Sequence, residues 1–120
     1  MERIKYRNKP HVIDQLTRPQ MGLYTIWCDE TGSYYADVTH DLQGTINCAR
    51  FRLALGVHPN RELQEEWTLF GAEHFSFEVA EALEYDPDDP GKTDYSEELA
   101  ALRTVWMENH PTAVPVLRME

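Results

Sequence analysis

The stretch MGLYTIWCD-ETGS-YYADVT, residues 21–39, decides the fold. Residues 21–29 are rich in aromatic and β-branched side chains, which suit an extended, half-buried backbone. Glu30-Thr31-Gly32-Ser33 supplies turn chemistry, with Gly32 free to adopt positive φ. Tyr34 to Thr39 returns as a second strand, so the stretch predicts a β-hairpin. An isolated hairpin cannot bury its own apolar face in water. Its covering must come from the chain that follows.

That chain has the required periodicities. Asp41 is placed to cap a helix from Leu42 to about Leu55, with Gly56 as its stop. Leu42, Ile46, Ala49 and Leu53 fall on one face of it. Gly44 and Thr45 are poor helix formers in its first turns. His58-Pro59 breaks the chain, and Asn60 caps a second helix, Arg61 to Phe70, with Leu63, Trp67 and Phe70 on one side. Phe75 to Leu83 opens with large apolar residues alternating with polar ones, which marks a third strand. An acidic, proline-interrupted loop, EYDPDDP, covers residues 84–90. Asp94 and Glu97 have capping-box spacing for a last helix reaching about Asn109, with Leu99, Leu102 and Trp106 as its buried stripe. The order β-β-α-α-β-α predicts an α+β fold, a three-stranded antiparallel sheet flanked by helices. Residues 1–20 read as a basic arm with a helical turn at His11 to Leu16, residues 21–110 as the domain, and residues 111–120 as a loosely ordered tail.

Composition narrows the function. The 120 residues carry a net charge of −10. Residues 1–20 are +3 (five basic, two acidic), so residues 21–120 are −13 (six basic, nineteen acidic). A body this acidic repels the phosphate backbone of nucleic acid unless one face is locally positive. The arm reads as a solvated terminus, with nucleic-acid contact as its alternative use. Arg50 and Arg52 form the one candidate nucleic-acid patch in the body. No window is long and apolar enough to span a membrane, and the N-terminus lacks the apolar core of a secretory signal, so a cytoplasmic protein is expected. Cys28 and Cys48 have no metal-ligand spacing and are expected to be buried, small apolar residues.

Three segments together resemble the GIY-YIG endonuclease family. Gly22-Leu23-Tyr24 looks like its first motif. Tyr35-Ala36-Asp37 stands at the spacing of the second, with Tyr24 and Tyr35 eleven residues apart. Gly56-x-His58-x-Asn60-x-x-Leu63-Gln64-x-x-Trp67-x-x-x-Gly71, followed by Phe75-x-Phe77-Glu78, is similar to the segment after the first helix in phage and bacterial members. The resemblance runs from about Met21 to Trp106. It implies metal-assisted phosphodiester hydrolysis: a tyrosine near the attacking water, an arginine on the first helix at the phosphate, and a glutamate on the last helix holding a divalent ion.

Carried over residue by residue, the match fails where the chemistry is done. Tyr24 and Tyr35 are present as the catalytic-position residues. The arginine position falls on Thr45, which has no fixed cationic fork for phosphate. A histidine that often follows one turn later is Ala49. The glutamate position falls on Arg103. At about 4 Å and an effective dielectric near 20, a unit charge pair is worth on the order of 4 kcal/mol, and this exchange reverses its sign. The second-motif glycine is Asp37. The opposite charges of Asp37 and Arg103 predict an ion pair across the cleft.

Displaced substitutes are poorly placed. Arg52 shares Thr45's helix face roughly 10 Å further along the axis, and Glu98 and Glu108 point some 140° around the last helix from Arg103. Asp37, His40 and Asp41 form a further cluster near the cleft that reads as a polar strand end with Asp41 capping, with a metal site as its alternative, and His58 and Asn60 read as a helix entry. The expected function is therefore a degenerate, non-catalytic interaction or regulatory module with a basic protein partner, no cofactor and no metal. The alternative is a divergent DNA endonuclease dependent on Mg2+ or Mn2+, using Tyr24, Tyr35 and Arg52.

Overall fold

The computed structural model describes residues 18–117. The helical turn expected at His11 to Leu16, and most of the basic arm, lie outside them. Strand β1 spans Met21–Cys28 and β2 spans Tyr34–Thr39. Helices α1 (Leu42–Leu55) and α2 (Arg61–Phe70) follow, then a 3-10 turn, Ala72–His74, leading into β3 (Phe75–Leu83). Helix α3 (Ser96–Glu108) and a short strand β4 (Ala113–Pro115) complete the order. No helix among the described residues is long and apolar enough to cross a membrane.

The sheet runs β3-β1-β2-β4, so the three-stranded antiparallel sheet expected from sequence is corrected to four strands. β1 pairs antiparallel with β2 and β3. β4 lies parallel to β2, with Tyr34 opposite Ala113 and Ala36 opposite Pro115. The tail expected to be loose is thus ordered through Leu117: Ala113 and Val116 are buried, and the Val116 amide donates to the Ala36 carbonyl at 3.1 Å. Residues 113–116 are too few for a strand to be recognised by alternation, and burial against a finished sheet decides their conformation.

β1 is central and covered on both faces. Tyr24 and Ile26 point to one side, where they pack with Tyr35, Leu42, Leu53, Leu63 and Val116. Trp67 closes that side by packing on Phe75 and Phe77, with ring centroids 5.1 and 6.2 Å away. Met21 and Leu23 point to the other side, against Leu99, Leu102 and Trp106 of α3. Each large apolar side chain so buried stabilises the fold by roughly 1.5–3 kcal/mol, and both layers depend on β1 being sandwiched.

The caps read from sequence for α1 and α2 are in place. Asp41 accepts from the Gly44 amide at 3.0 Å, and Gly56 closes α1 in the left-handed conformation (φ 80°). Asn60 accepts from the Leu63 amide at 3.1 Å. The capping box expected from Asp94 and Glu97 is not formed. Tyr95 occupies the cap without a side-chain bond, and Asp94 accepts from both the amide and hydroxyl of Ser96 instead. Tyr95 is held there by burial against Met21 and Leu99. Cys28 is buried as expected, but Cys48 is exposed. Ala49 takes the inward position on α1, and its immediate neighbour on a helix is turned about 100° away.

Candidate active-site cleft

The family-motif residues meet on the side of the sheet under α1. Gly22, the second residue of β1, stands where a side chain has no room: a Cβ there would lie 2.1 Å from the Glu81 carbonyl oxygen of β3. Just beyond it the β1–β3 register shifts between Leu23 and Tyr24, leaving Ala80 as the extra, unpaired residue on β3. Tyr24 is paired across strands with Asp37, so the two side chains share one face of the sheet. Burial, with the neighbouring Asp37 and Cys48, pushes the Tyr24 phenol far above its ordinary range. A phenol so shifted holds its proton at neutral pH.

Tyr35 is also buried, and its hydroxyl donates to Glu66 of α2 at 3.1 Å. The same carboxylate accepts from Ser33 at 2.9 Å and from Thr31 at 3.0 Å. Glu66 therefore ties the hairpin turn to α2. Burial first, then Glu66, raises the Tyr35 pKa above its ordinary range as well. Glu66 was not singled out from sequence, because its partners are more than thirty residues away along the chain.

The remaining positions are committed to structural contacts. Thr45, at the arginine position, shares a 2.7 Å hydroxyl–hydroxyl bond with Thr39 at the end of β2. Arg103, at the glutamate position, reaches from α3 to Asp37 with Nη1 to Oδ1 at 3.0 Å. The ion pair expected from the two charge changes is present. Asp37 Oδ1 also accepts from the Val38 amide at 2.9 Å, and Oδ2 from the Leu117 amide at 3.1 Å. The carboxylate is thus held by one guanidinium and two backbone amides. These residues do not fit a divalent cation: its seat holds a positive charge, and the nearest carboxylate already meets three donors.

The displaced candidates are drawn elsewhere. Arg50 lies over the Phe77 ring, 4.5 Å from its centroid. Arg52 is exposed and acts on His58, whose pKa is lowered first by burial and then by this neighbouring charge. Glu98 pairs with Lys92 in the preceding loop. His40 accepts from the Tyr95 amide through Nε2 at 2.9 Å, while Asp41 caps α1. The Asp37, His40 and Asp41 group is therefore dispersed into three separate hydrogen-bonding tasks. A second feature escaped sequence reading: Asp29, Glu30 and His74 converge at the far end of the hairpin. Only the antiparallel pairing of Cys28 with Phe75 brings Asp29 beside His74.

The four-stranded sheet and its flanking helices form a GIY-YIG-like fold. The comparison with solved structures agrees. The chain is similar to the catalytic domain of the homing endonuclease I-TevI, with a TM-score of 0.61 and 16% identity, covering 82% of this chain and 99% of that domain. A mutant of that catalytic domain aligns equally well, with a TM-score of 0.61 and 15% identity over 84% of this chain and 97% of that one. At this identity the likeness is one of fold. No protein-family profile matches the chain, and no curated protein matches it in sequence.

Proposed function

We propose that this chain is a GIY-YIG-like domain whose phosphate- and metal-binding positions have been given over to structural contacts, and that it serves as a non-catalytic interaction or regulatory module. The observation that carries this is the Arg103–Asp37 contact at 3.0 Å, in the place where the resemblance calls for a metal-binding glutamate. A cation at that seat faces like charge, and Thr45 offers a transferring phosphate no compensating charge. The two tyrosines remain as packed, protonated groups.

A basic protein segment is the partner the surface favours. Tyr34, Tyr35, Glu62, Glu65 and Glu66 line a groove of about 400 Å3, with Leu69 and Val114 on its rim. Leu69 is 75% exposed and Val114 43%. Carboxylates beside exposed apolar side chains suit a lysine- or arginine-bearing chain and repel a nucleic-acid backbone. The deciding experiment is cleavage of supercoiled plasmid and single-stranded DNA in Mg2+ or Mn2+, with Tyr24→Phe in parallel. No cleavage by folded protein is the expected result. Cleavage by the parent that is lost in Tyr24→Phe overturns the proposal and establishes the divergent nuclease, with Arg52 as the first residue to test for the missing cation.

A further inference from the structure

A cluster unrelated to the cleft lies at the other end of β1. The strand ends at Cys28, and Asp29 and Glu30 begin the hairpin turn. His74 is the last residue of the 3-10 turn before β3. The Asp29 amide donates to the His74 carbonyl at 3.0 Å, which clamps the two segments together through their backbones. His74 Nδ1 lies 2.8 Å from Asp29 Oδ1 and 3.5 Å from Glu30 Oε2. The three ligand-type atoms lie within 4.8 Å of one another.

Those spacings suit a small coordination sphere. With metal–ligand distances of about 2.1 Å, neighbouring ligands of a tetrahedral ion stand about 3.4 Å apart. The two His74–carboxylate separations, 2.8 and 3.5 Å, bracket that value, and the two carboxylate oxygens stand no more than 4.8 Å apart. Charge points the same way. Glu73 adds a third carboxylate acting on His74. One imidazolium against three carboxylates leaves the cluster at −2 even when His74 is protonated, and no lysine or arginine among the described residues pairs with Asp29, Glu30 or Glu73. A dication replacing the Nδ1 proton offsets that charge.

We propose that Asp29, Glu30 and His74 form a divalent transition-metal site, with Zn2+ as its fitting ion, that clips the hairpin to the start of β3. One nitrogen and two carboxylate oxygens favour a borderline ion such as Zn2+ over Mg2+, which prefers oxygen and water. All three side chains are partly open to solvent, so water completes the sphere. The ion here is structural and independent of the proposed loss of catalysis, since the site shares no residue with the tyrosine cleft.

The test is calorimetric titration of ZnCl2 into the full chain at about pH 8, above the ordinary imidazole range, with His74→Ala, Asp29→Asn and His110→Ala in parallel. His110 is an exposed histidine stacked on Trp106 and controls for adventitious imidazole binding. The expected result is one saturable site, weakened about tenfold or more by His74→Ala and by Asp29→Asn, unaltered by His110→Ala and not displaced by excess Mg2+. Bound Zn2+ is also expected to raise the melting temperature of the parent but not of His74→Ala. The proposal is overturned by absence of saturable binding in the parent up to about 1 mM, or by equal Zn2+ affinity in parent and His74→Ala. Because the substituted side chains are partly exposed, melting curves without metal are expected to show all variants folded.

Discussion

Arg103→Met removes the guanidinium and keeps an unbranched apolar stem of similar reach. The Asp37 side chain is 9% exposed and that of Arg103 25%, so the variant leaves a nearly buried carboxylate without its counter-charge. A fully buried pair broken on one side costs about 3–5 kcal/mol. Asp37 keeps the Val38 and Leu117 amides, and the guanidinium is partly screened by water. The loss is therefore nearer that of one charged hydrogen bond, about 2 kcal/mol. For a chain of this length the melting temperature should fall by about 8 °C. Urea unfolding of the parent, Arg103→Met, Asp37→Asn and the double variant gives the coupling directly, expected at about 1–2 kcal/mol. Stability of Arg103→Met within about 0.5 kcal/mol of the parent, with additive single losses, would refute the view that this pair locks α3 onto the end of β2.

Arg103→Glu places a second carboxylate against Asp37, a repulsion on the order of 4 kcal/mol at about 4 Å and an effective dielectric near 20. Its melting temperature is expected below that of Arg103→Met, and millimolar Mg2+ or Mn2+ should recover part of the difference in thermal melts. Gly22→Ala drives a Cβ to 2.1 Å from the Glu81 carbonyl, and the displaced backbone is expected to cost about 3 kcal/mol by urea unfolding; a neutral result would mean the β1–β3 bulge yields easily. Asn60→Ala removes both the α2 cap and the 2.7 Å donation to the Val116 carbonyl, for about 2–3 kcal/mol. Asn60→Asp keeps the cap but loses the donor, and the difference between the two variants by denaturant titration separates the contributions. His58 Nδ1 accepts from the Asn60 amide at 3.0 Å, so protonation breaks that bond. Its folded pKa is lowered, so its contribution is complete above the unfolded value of about 6.5 and is lost as pH falls through the lower folded value. A His58→Gln variant should show a flatter stability profile across that window.

Local chemistry determined much of this molecule. The alternating and aromatic runs of β1 and β2, the turn at Gly32, the caps Asp41 and Asn60 and the stop at Gly56 concern residues within a few positions of one another. The charge exchange at Asp37 and Arg103 was also legible, because two anomalies of opposite sign fell on positions that the family resemblance places together. Tertiary structure alone decided the rest. β4 exists because residues 113–116 fall against the free edge of β2, and no local signal distinguishes them from a loop. Cys48 is outside because Ala49 took the inward position. Glu66 became the hub of Thr31, Ser33 and Tyr35, and His74 came to face Asp29 and Glu30, through packing and strand register that join residues 31 to 45 positions apart. Periodicity and capping act over one or two turns of chain. The side chains that converge in a cleft or a cation-ligating cluster are set by which strands pair, and pairing is chosen by the whole core.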